Sequence, residues 1–225
     1  MNGLHKRAWL GLIVVTAIMG LVIFLCAGTV QYWQGWAYLG IYCGASISIT
    51  LYLMKRDPAL LERRLRGGPA AEKEKKQKVI MVFASLGFVA SLVVPAIDHR
   101  LMWSSVPYYG VAAGYLLTVL CFSVIFLVFK ENTFSSAIIE TVEGQKVITT
   151  GPYACVRHPM YAGASLLFIG TPLALGSYWG LLAFAAVLPA LIWRLLDEEK
   201  FLEQNLPGYR EYCRKVRWRL VPGVF

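Results

Sequence analysis

Long apolar runs alternate with short polar ones along this chain. The first run covers roughly residues 8–27 and the second roughly 33–54. Each meets the roughly 20-residue length that a helix needs to cross hydrocarbon. Trp33, Trp36 and Tyr38 stand at the start of the second run as an interfacial aromatic anchor. Two further runs, roughly 79–97 and 106–129, read the same way across the polar turn Asp98-His99-Arg100. The first run follows Lys6-Arg7, as a signal peptide would. It is too long for a typical signal core and a second run follows at once, so it reads as a retained span.

Lys55 to Lys78 is a basic loop. Asp57-Pro58 makes a helix start and Gly67-Gly68 a stop. Residues 59–66 place Leu61 and Leu65 on one face with arginines elsewhere. A short helix on the membrane surface and a solvated charged loop both fit that pattern. Glu72-Lys73-Glu74-Lys75-Lys76 reads as solvated. Residues 131–150 are too polar to span, and the β-rich stretches 138–142 and 145–149 around Glu143-Gly144 predict a small hairpin. Apolar residues 162–175, a break at Gly176-Ser177, and a second run from Tyr178 to Trp193 that continues to Leu206 predict two antiparallel helices. The first arm is short or tilted, and the second projects out of the bilayer until Pro207-Gly208 ends it. Tyr209, Tyr212, Cys213 and Val216 then recur at helical spacing, as a short amphipathic helix requires.

Composition turns these runs into a fold class. The chain is 57% hydrophobic and 16% charged, against about 25% charged in soluble domains. The expectation is an all-α integral membrane protein forming one domain over 1–225. Four membrane helices fill 1–129, and a catalytic region with the helical hairpin fills 130–225. That makes about six membrane-embedded helices and five to six spans. The net charge of +9 does not indicate nucleic acid, because the basic residues flank apolar runs, where they set topology and meet anionic membrane lipids. With six crossings, every one of the 22 Lys and Arg residues except Arg100 falls on one side. That bias predicts a multi-pass protein with its N- and C-termini cytosolic. The five cysteines show no CxxC spacing, so neither a metal site nor a disulfide framework is indicated.

Two polar clusters carry the candidate chemistry. The first is the tract Gly151-Pro152-Tyr153-Ala154-Cys155-Val156-Arg157-His158-Pro159-Met160-Tyr161. His158 falls near a helix N-cap with Pro159 in the first turn, where open N–H groups and the helix dipole favour an anion. Arg157 adds a forked cation. Tyr153 and Tyr161 offer aromatic faces to a cation or a purine. A ligand with a carboxylate, a cationic centre and an aromatic base suits this set. Taken alone, Arg157-His158 also fits an arginine on lipid phosphate beside a capping histidine, and the tyrosines fit an interfacial belt. The second cluster is Arg194, Asp197, Glu198 and Glu199, with Arg194 and Glu198 one turn apart and able to pair. A snorkelling arginine beside a solvated acidic turn fits it as well. Both clusters lie beside arms of the same hairpin and on the same predicted membrane side.

Gly151-Pro152-Tyr153, Arg157-His158-Pro159-x-Tyr161, Arg194-x-x-x-Glu198-Glu199 and Tyr209-x-x-Tyr212, in that order, resemble the isoprenylcysteine carboxyl methyltransferase family. The related phospholipid methyltransferases share part of the set. The resemblance is specific over about 130–225 and general over the first 130 residues. The RHPxY tract alone also occurs in some membrane sterol-type reductases. The resemblance implies S-adenosyl-L-methionine as methyl donor, bound from the cytosolic side, and a lipid-like acceptor entering from the bilayer. It assigns Gln145, Lys146, Val147, Ile148, Tyr153, Arg157, His158, Pro159, Met160, Tyr161 and Glu198 to the cofactor. Family members often carry His where Gln145 stands. Arg194 corresponds to the arginine that holds the acceptor carboxylate, as substrate-binding and catalytic residue. The implied reaction is carboxyl O-methylation of an acceptor such as a C-terminal S-isoprenylcysteine. A carboxylate is already ionised at pH 7, so direct displacement needs no strong base. Phospholipid N-methylation, small-thiol S-methylation, an NADPH-dependent membrane reductase and a non-catalytic lipid binder remain as alternatives.

Overall fold

The computed structural model describes residues 3–225. Eight α-helices follow in order among the described residues: α1 (Gly3–Ala27), α2 (Trp33–Arg56), α3 (Pro58–Leu65), α4 (Lys75–Leu101), α5 (Tyr108–Glu131), α6 (Pro159–Ala174), α7 (Leu181–Asn205) and α8 (Tyr209–Lys215). Of these, α1, α2, α4 and α5 are long and apolar enough to cross a membrane, and α6 is apolar but shorter. At 1.5 Å per residue, α6 is about 24 Å long and α7 about 37 Å. The hairpin arms are therefore unequal, and the polar half of α7 runs on past the start of α6.

Small residues let the helices close on one another. A side chain at Gly114 of α5 would overlap the main chain of Leu173 and Ala174 on α6. A Cβ at Gly170 would stand 2.9 Å from the Gly114 carbonyl oxygen. This is the close backbone approach that small residues permit between membrane helices. Gly87 makes the matching contact between α4 and Val187 of α7.

The connections α1–α2, α4–α5 and α6–α7 meet at one end of the bundle. There Tyr32 is fully buried, stacks on His99 with ring centroids 3.9 Å apart, and donates to the Leu175 carbonyl. Asp98, 1% exposed, accepts from the Ser104 amide at 2.7 Å, the Ser104 hydroxyl at 2.6 Å and the Ser177 hydroxyl. The opposite end gathers α3, residues 132–158, the polar half of α7, and α8.

Within the basic loop, Pro58–Leu65 form α3, which packs two leucines into the core. Asp57 accepts from the Leu60 amide at 2.9 Å and Pro58 sits in the first turn. This cap is worth about 1 kcal/mol. The buried face of α3 differs from the predicted one. Leu60 and Leu61 pack with Ala8, Leu53, Val128 and Phe129, whereas Leu65 is exposed. In two turns of helix, the protein neighbours on α2 and α5 decide which leucine turns inward.

The predicted β-hairpin at 138–149 is absent; no strand forms among the described residues. Its turn is made, with Gly144 at φ +73° and the Gln145 amide donating to the Val142 carbonyl at 3.0 Å. The Val142 amide then donates to the Gln145 side-chain oxygen at 3.0 Å. A donor that cross-strand pairing would use is satisfied locally, and both flanking stretches run instead along the rim of a cavity.

Candidate functional site

A cavity of about 770 Å³ opens between α2, α4, α6, α7 and the segment 132–148. Ligand pockets typically measure about 300–1,000 Å³. Its deep limb is apolar. Met81, Ala84, Ser85, Phe88 and Val89 form one stripe of α4, facing Phe168 of α6 and Leu191 of α7. Its outer limb is polar and is built by the two clusters picked out in the sequence.

Gln145, Lys146, Val147 and Ile148 form one stretch of cavity wall. Lys146, Val147 and Ile148 make no main-chain hydrogen bond among the described residues. Their peptide groups are free to meet a ligand. Tyr153, Arg157, His158, Pro159, Met160 and Tyr161 form a second stretch, and Arg194 and Glu198 a third. Every residue that the resemblance assigned to the cofactor or the acceptor thus lines one hollow, whereas Asp197 and Glu199 of the second cluster do not line it.

The cluster contacts explain how the hollow is held. His158 is the N-cap of α6, with Pro159 in its first turn. The His158 and Arg157 amides donate to the Arg219 and Trp218 carbonyls at 2.9 Å each, tying the tract to the C-terminal tail. Glu199, 6% exposed, receives His158 Nε2 at 3.3 Å and Arg219 Nε at 2.8 Å, and lies 3.2 Å from Arg157 Nε. Burial alone would raise the Glu199 carboxyl. The hydrogen bonds of His158 and Arg219 and the charge of Arg157 outweigh it and hold the group below its usual value. The Arg157 cation, read from the sequence as an anion site, is therefore neutralised within the protein.

The Tyr161 hydroxyl donates to Glu198 at 2.6 Å, so α6 and α7 meet a second time. The predicted Arg194–Glu198 pair does not form. Arg194 donates instead to Glu72 at 2.6 Å, to Gln77 at 2.9 Å and to the Ala137 carbonyl at 3.4 Å. Its neighbour Asp197 accepts from the other Gln77 group at 2.9 Å. An exposed pair one turn apart is worth only about 0.2–0.5 kcal/mol, and a buried pair made bidentate by Gln77 displaces it. Glu72, read as solvated, is 3% exposed.

Tyr153 receives the Asn132 side-chain amide on its hydroxyl at 2.8 Å. Burial pushes that hydroxyl up to about 12, so it stays protonated at neutral pH. The Tyr212 hydroxyl donates to the Tyr153 carbonyl at 2.7 Å, which docks α8. Beside it the Tyr209 hydroxyl is buried, lines the cavity and has no hydrogen-bond partner. Burial pushes it far up. It can only serve as a neutral donor or acceptor.

Several members of this site carry no local sequence signal. Glu72, Gln77 and Arg219 are remote from the residues they bind. Arg64, on α3, also lines the cavity. Only Glu199 stands inside a motif, as the second acid of Arg194-x-x-x-Glu198-Glu199.

Residues 109–207 match the phospholipid methyltransferase family. A stretch of 92 residues is 30% identical to the Delta(14)-sterol reductase TM7SF2 of Mus musculus, covering 39% of this chain and 22% of the reductase. A stretch of 72 residues is 36% identical to the protein-S-isoprenylcysteine O-methyltransferase of Schizosaccharomyces pombe, covering 31% of this chain and 30% of that protein. Each alignment thus spans less than a third of its relative's length. The residues that carry nearly all of α5 and the whole of α6 and α7, and with them much of the cavity wall, match the phospholipid methyltransferase family, and the chain is similar to an isoprenylcysteine O-methyltransferase.

Proposed function

We propose that this protein is an S-adenosylmethionine-dependent membrane methyltransferase that transfers a methyl group to a lipid-like acceptor. The supporting observation is the direct contact of the tract with the acidic turn, His158 to Glu199 and Tyr161 to Glu198, at the polar mouth of a cavity whose inner limb is apolar. One limb suits a charged nucleoside and the other an aliphatic chain. Charge bias puts this mouth on the cytosolic side, together with both termini.

The residues present fit that cofactor. The unpaired Tyr209 hydroxyl and the free peptide groups of 146–148 are the polar complement that a bound nucleoside needs. Glu198 supplies a carboxylate within reach of a cationic amino or sulfonium group, and Tyr161 orients it. Tyr153 and Tyr161 add aromatic faces. When bound, the cofactor supplies an electrophilic methyl carbon on a sulfonium. The chain's own work is to hold the acceptor in line with that carbon and keep water out.

Carboxyl O-methylation of an isoprenylcysteine-type acceptor is the reading we favour, since it needs no base. The engagement of Arg194 by Glu72 and Gln77 supports a second reading, methylation of a phospholipid amine, for which no free Arg194 is required. Isothermal titration of the full chain in lipid nanodiscs with S-adenosylmethionine and with NADPH tests the proposal. A radioactive-methyl assay on prenylcysteine, phosphatidylethanolamine and a small thiol then sorts the acceptors. S-adenosylmethionine binding that weakens about tenfold, or about 1.4 kcal/mol, in Glu198→Gln is expected. Binding of NADPH instead, or of neither, overturns it.

A further inference from the structure

We propose that Arg64 is the residue that holds the anionic group at the polar end of the acceptor, a carboxylate or a phosphate. The inference rests on the methyltransferase reading and adds a residue from outside the family-matched segment.

The cavity is lined by four strongly basic side chains, Arg64, Lys146, Arg157 and Arg194. Glu199 faces Arg157 and Glu72 faces Arg194, both as buried ion pairs. Lys146 is exposed, so water solvates it. Arg64 differs from all three. It is half-buried, and no carboxylate pairs with it among the described residues. Its NH1 donates to the Ser136 carbonyl at 2.7 Å, and its guanidinium carbon lies 5.2 Å from the centre of the Phe129 ring. These contacts fix the fork without an ion pair, and the nearby Glu198 carboxylate is taken by the Tyr161 hydroxyl. Burial also pulls Arg64 below the usual arginine range, as expected of a desolvated cation. A desolvated, forked cation is matched best by a planar or tetrahedral oxyanion.

The side chain is aimed by the fold. The Asp57 cap and the buried pair Leu60 and Leu61 lock α3 against α2 and α5. Arg64 then falls on the cavity face, among Tyr153, Tyr161 and Glu198, the groups assigned to the cofactor. An anion held there sits next to the reacting centre. Its source is the acceptor because α3 lies outside residues 109–207. The matched segment is common to a family named for phospholipids, and the chain is also similar to a protein named for isoprenylcysteine, so recognition of the acceptor falls to other elements. Both readings supply the group: the reacting carboxylate itself, or the phosphate beside a reacting amine.

The test uses the full chain in nanodiscs and two probe pairs, each an anion with its uncharged counterpart. One pair is N-acetyl-S-farnesylcysteine and its carboxamide; the other is a lysophosphatidic acid and a monoacylglycerol. The wild type is expected to prefer the anion in at least one pair by about tenfold. The pair that shows it identifies carboxylate or phosphate. Arg64→Gln should abolish that preference, and Arg64→Lys should keep part of it. Unchanged affinity for the uncharged member and for S-adenosylmethionine shows that the variant is folded. An unaltered preference in Arg64→Gln, or none in the wild type, overturns the Arg64 assignment while leaving cofactor binding intact. A loss of S-adenosylmethionine affinity with acceptor preference retained also overturns it, moving Arg64 to the cofactor. Failure of the wild type to bind S-adenosylmethionine at all is the distinct failure of the methyltransferase reading.

Discussion

Where α1–α2, α4–α5 and α6–α7 turn back, Asp98 takes hydrogen bonds from Ser104 and Ser177, the Ser177 hydroxyl oxygen takes one from the Gly180 amide at 3.1 Å, and Tyr32 closes onto Leu175. Most polar groups there answer one another, as buried groups in stable interiors do; the Gln34 side-chain oxygen, near Gly176, is an unpaired exception. At the other end, two buried carboxylates, Glu199 and Glu72, hold the wall together. The Arg64 charge, the Tyr209 hydroxyl and the peptide groups of 146–148 are left facing a hollow. Both ends use acids to join helices far apart in sequence. Only at the second do unmatched groups line a cavity, and that surplus singles out the candidate site more clearly than the mere presence of charge.

The comparison breaks most visibly if the hub acids are removed. Glu199→Ala strands Arg157, His158 and Arg219 around an uncompensated site and should cost about 3–5 kcal/mol of stability. Asp98→Ala leaves two hydroxyls and an amide without their acceptor, at about 1–3 kcal/mol for a stranded buried group. Thermal unfolding should fall in both. Ligand binding below the unfolding midpoint should fail in Glu199→Ala and survive in Asp98→Ala. Loss of binding in both variants would mean that the two ends are one cooperative unit and that the contrast has no functional content.

Acid sharpens the same contrast more gently. The Glu199 carboxyl is held below the ordinary value, so its stabilisation is fully present above the unfolded carboxylate value of about 4.3. It is lost as pH falls through the lower folded value. Denaturant unfolding followed from pH 7 downward should show stability declining below about pH 4.3. Glu199→Gln should decline less over that window. An equal slope would assign the acid loss to other carboxylates.

How much of this was legible in the sequence follows from distance along the chain. The four long apolar helices, the Asp57-Pro58 start of α3, the unequal hairpin and α8 were all readable, because periodicity and capping are local signals. His158 at its cap and the Glu198-Glu199 turn were readable as a motif. The Glu72–Arg194 pair joins residues 122 positions apart and leaves no local pattern. The same is true of Glu199 with Arg219, where an arginine in a basic tail looks like any other. The inward face of α3 was misread because two turns of helix fit more than one apolar stripe. At 138–149, β-propensity was outweighed by the Gln145 side chain, which took the Val142 amide, and by a cavity that both stretches had to border.

The smallest expected effect is the most discriminating. Tyr209→Phe removes one oxygen from a buried position where it has no partner. In a purely structural role that oxygen is a desolvation penalty, and its removal should leave stability unchanged or raise it by about 1–3 kcal/mol. As a ligand-facing donor, the same oxygen should add about 0.5–1.5 kcal/mol to binding, a few-fold in affinity. The aromatic ring keeps its contacts with Leu206 and Tyr212 in either case. Calorimetric affinity for S-adenosylmethionine and the unfolding midpoint should therefore move apart in this variant, with binding weaker and the fold as stable or more so. If both fall together, Tyr209 belongs to the scaffold like Asp98, and the unmatched groups at the open end no longer point to a ligand.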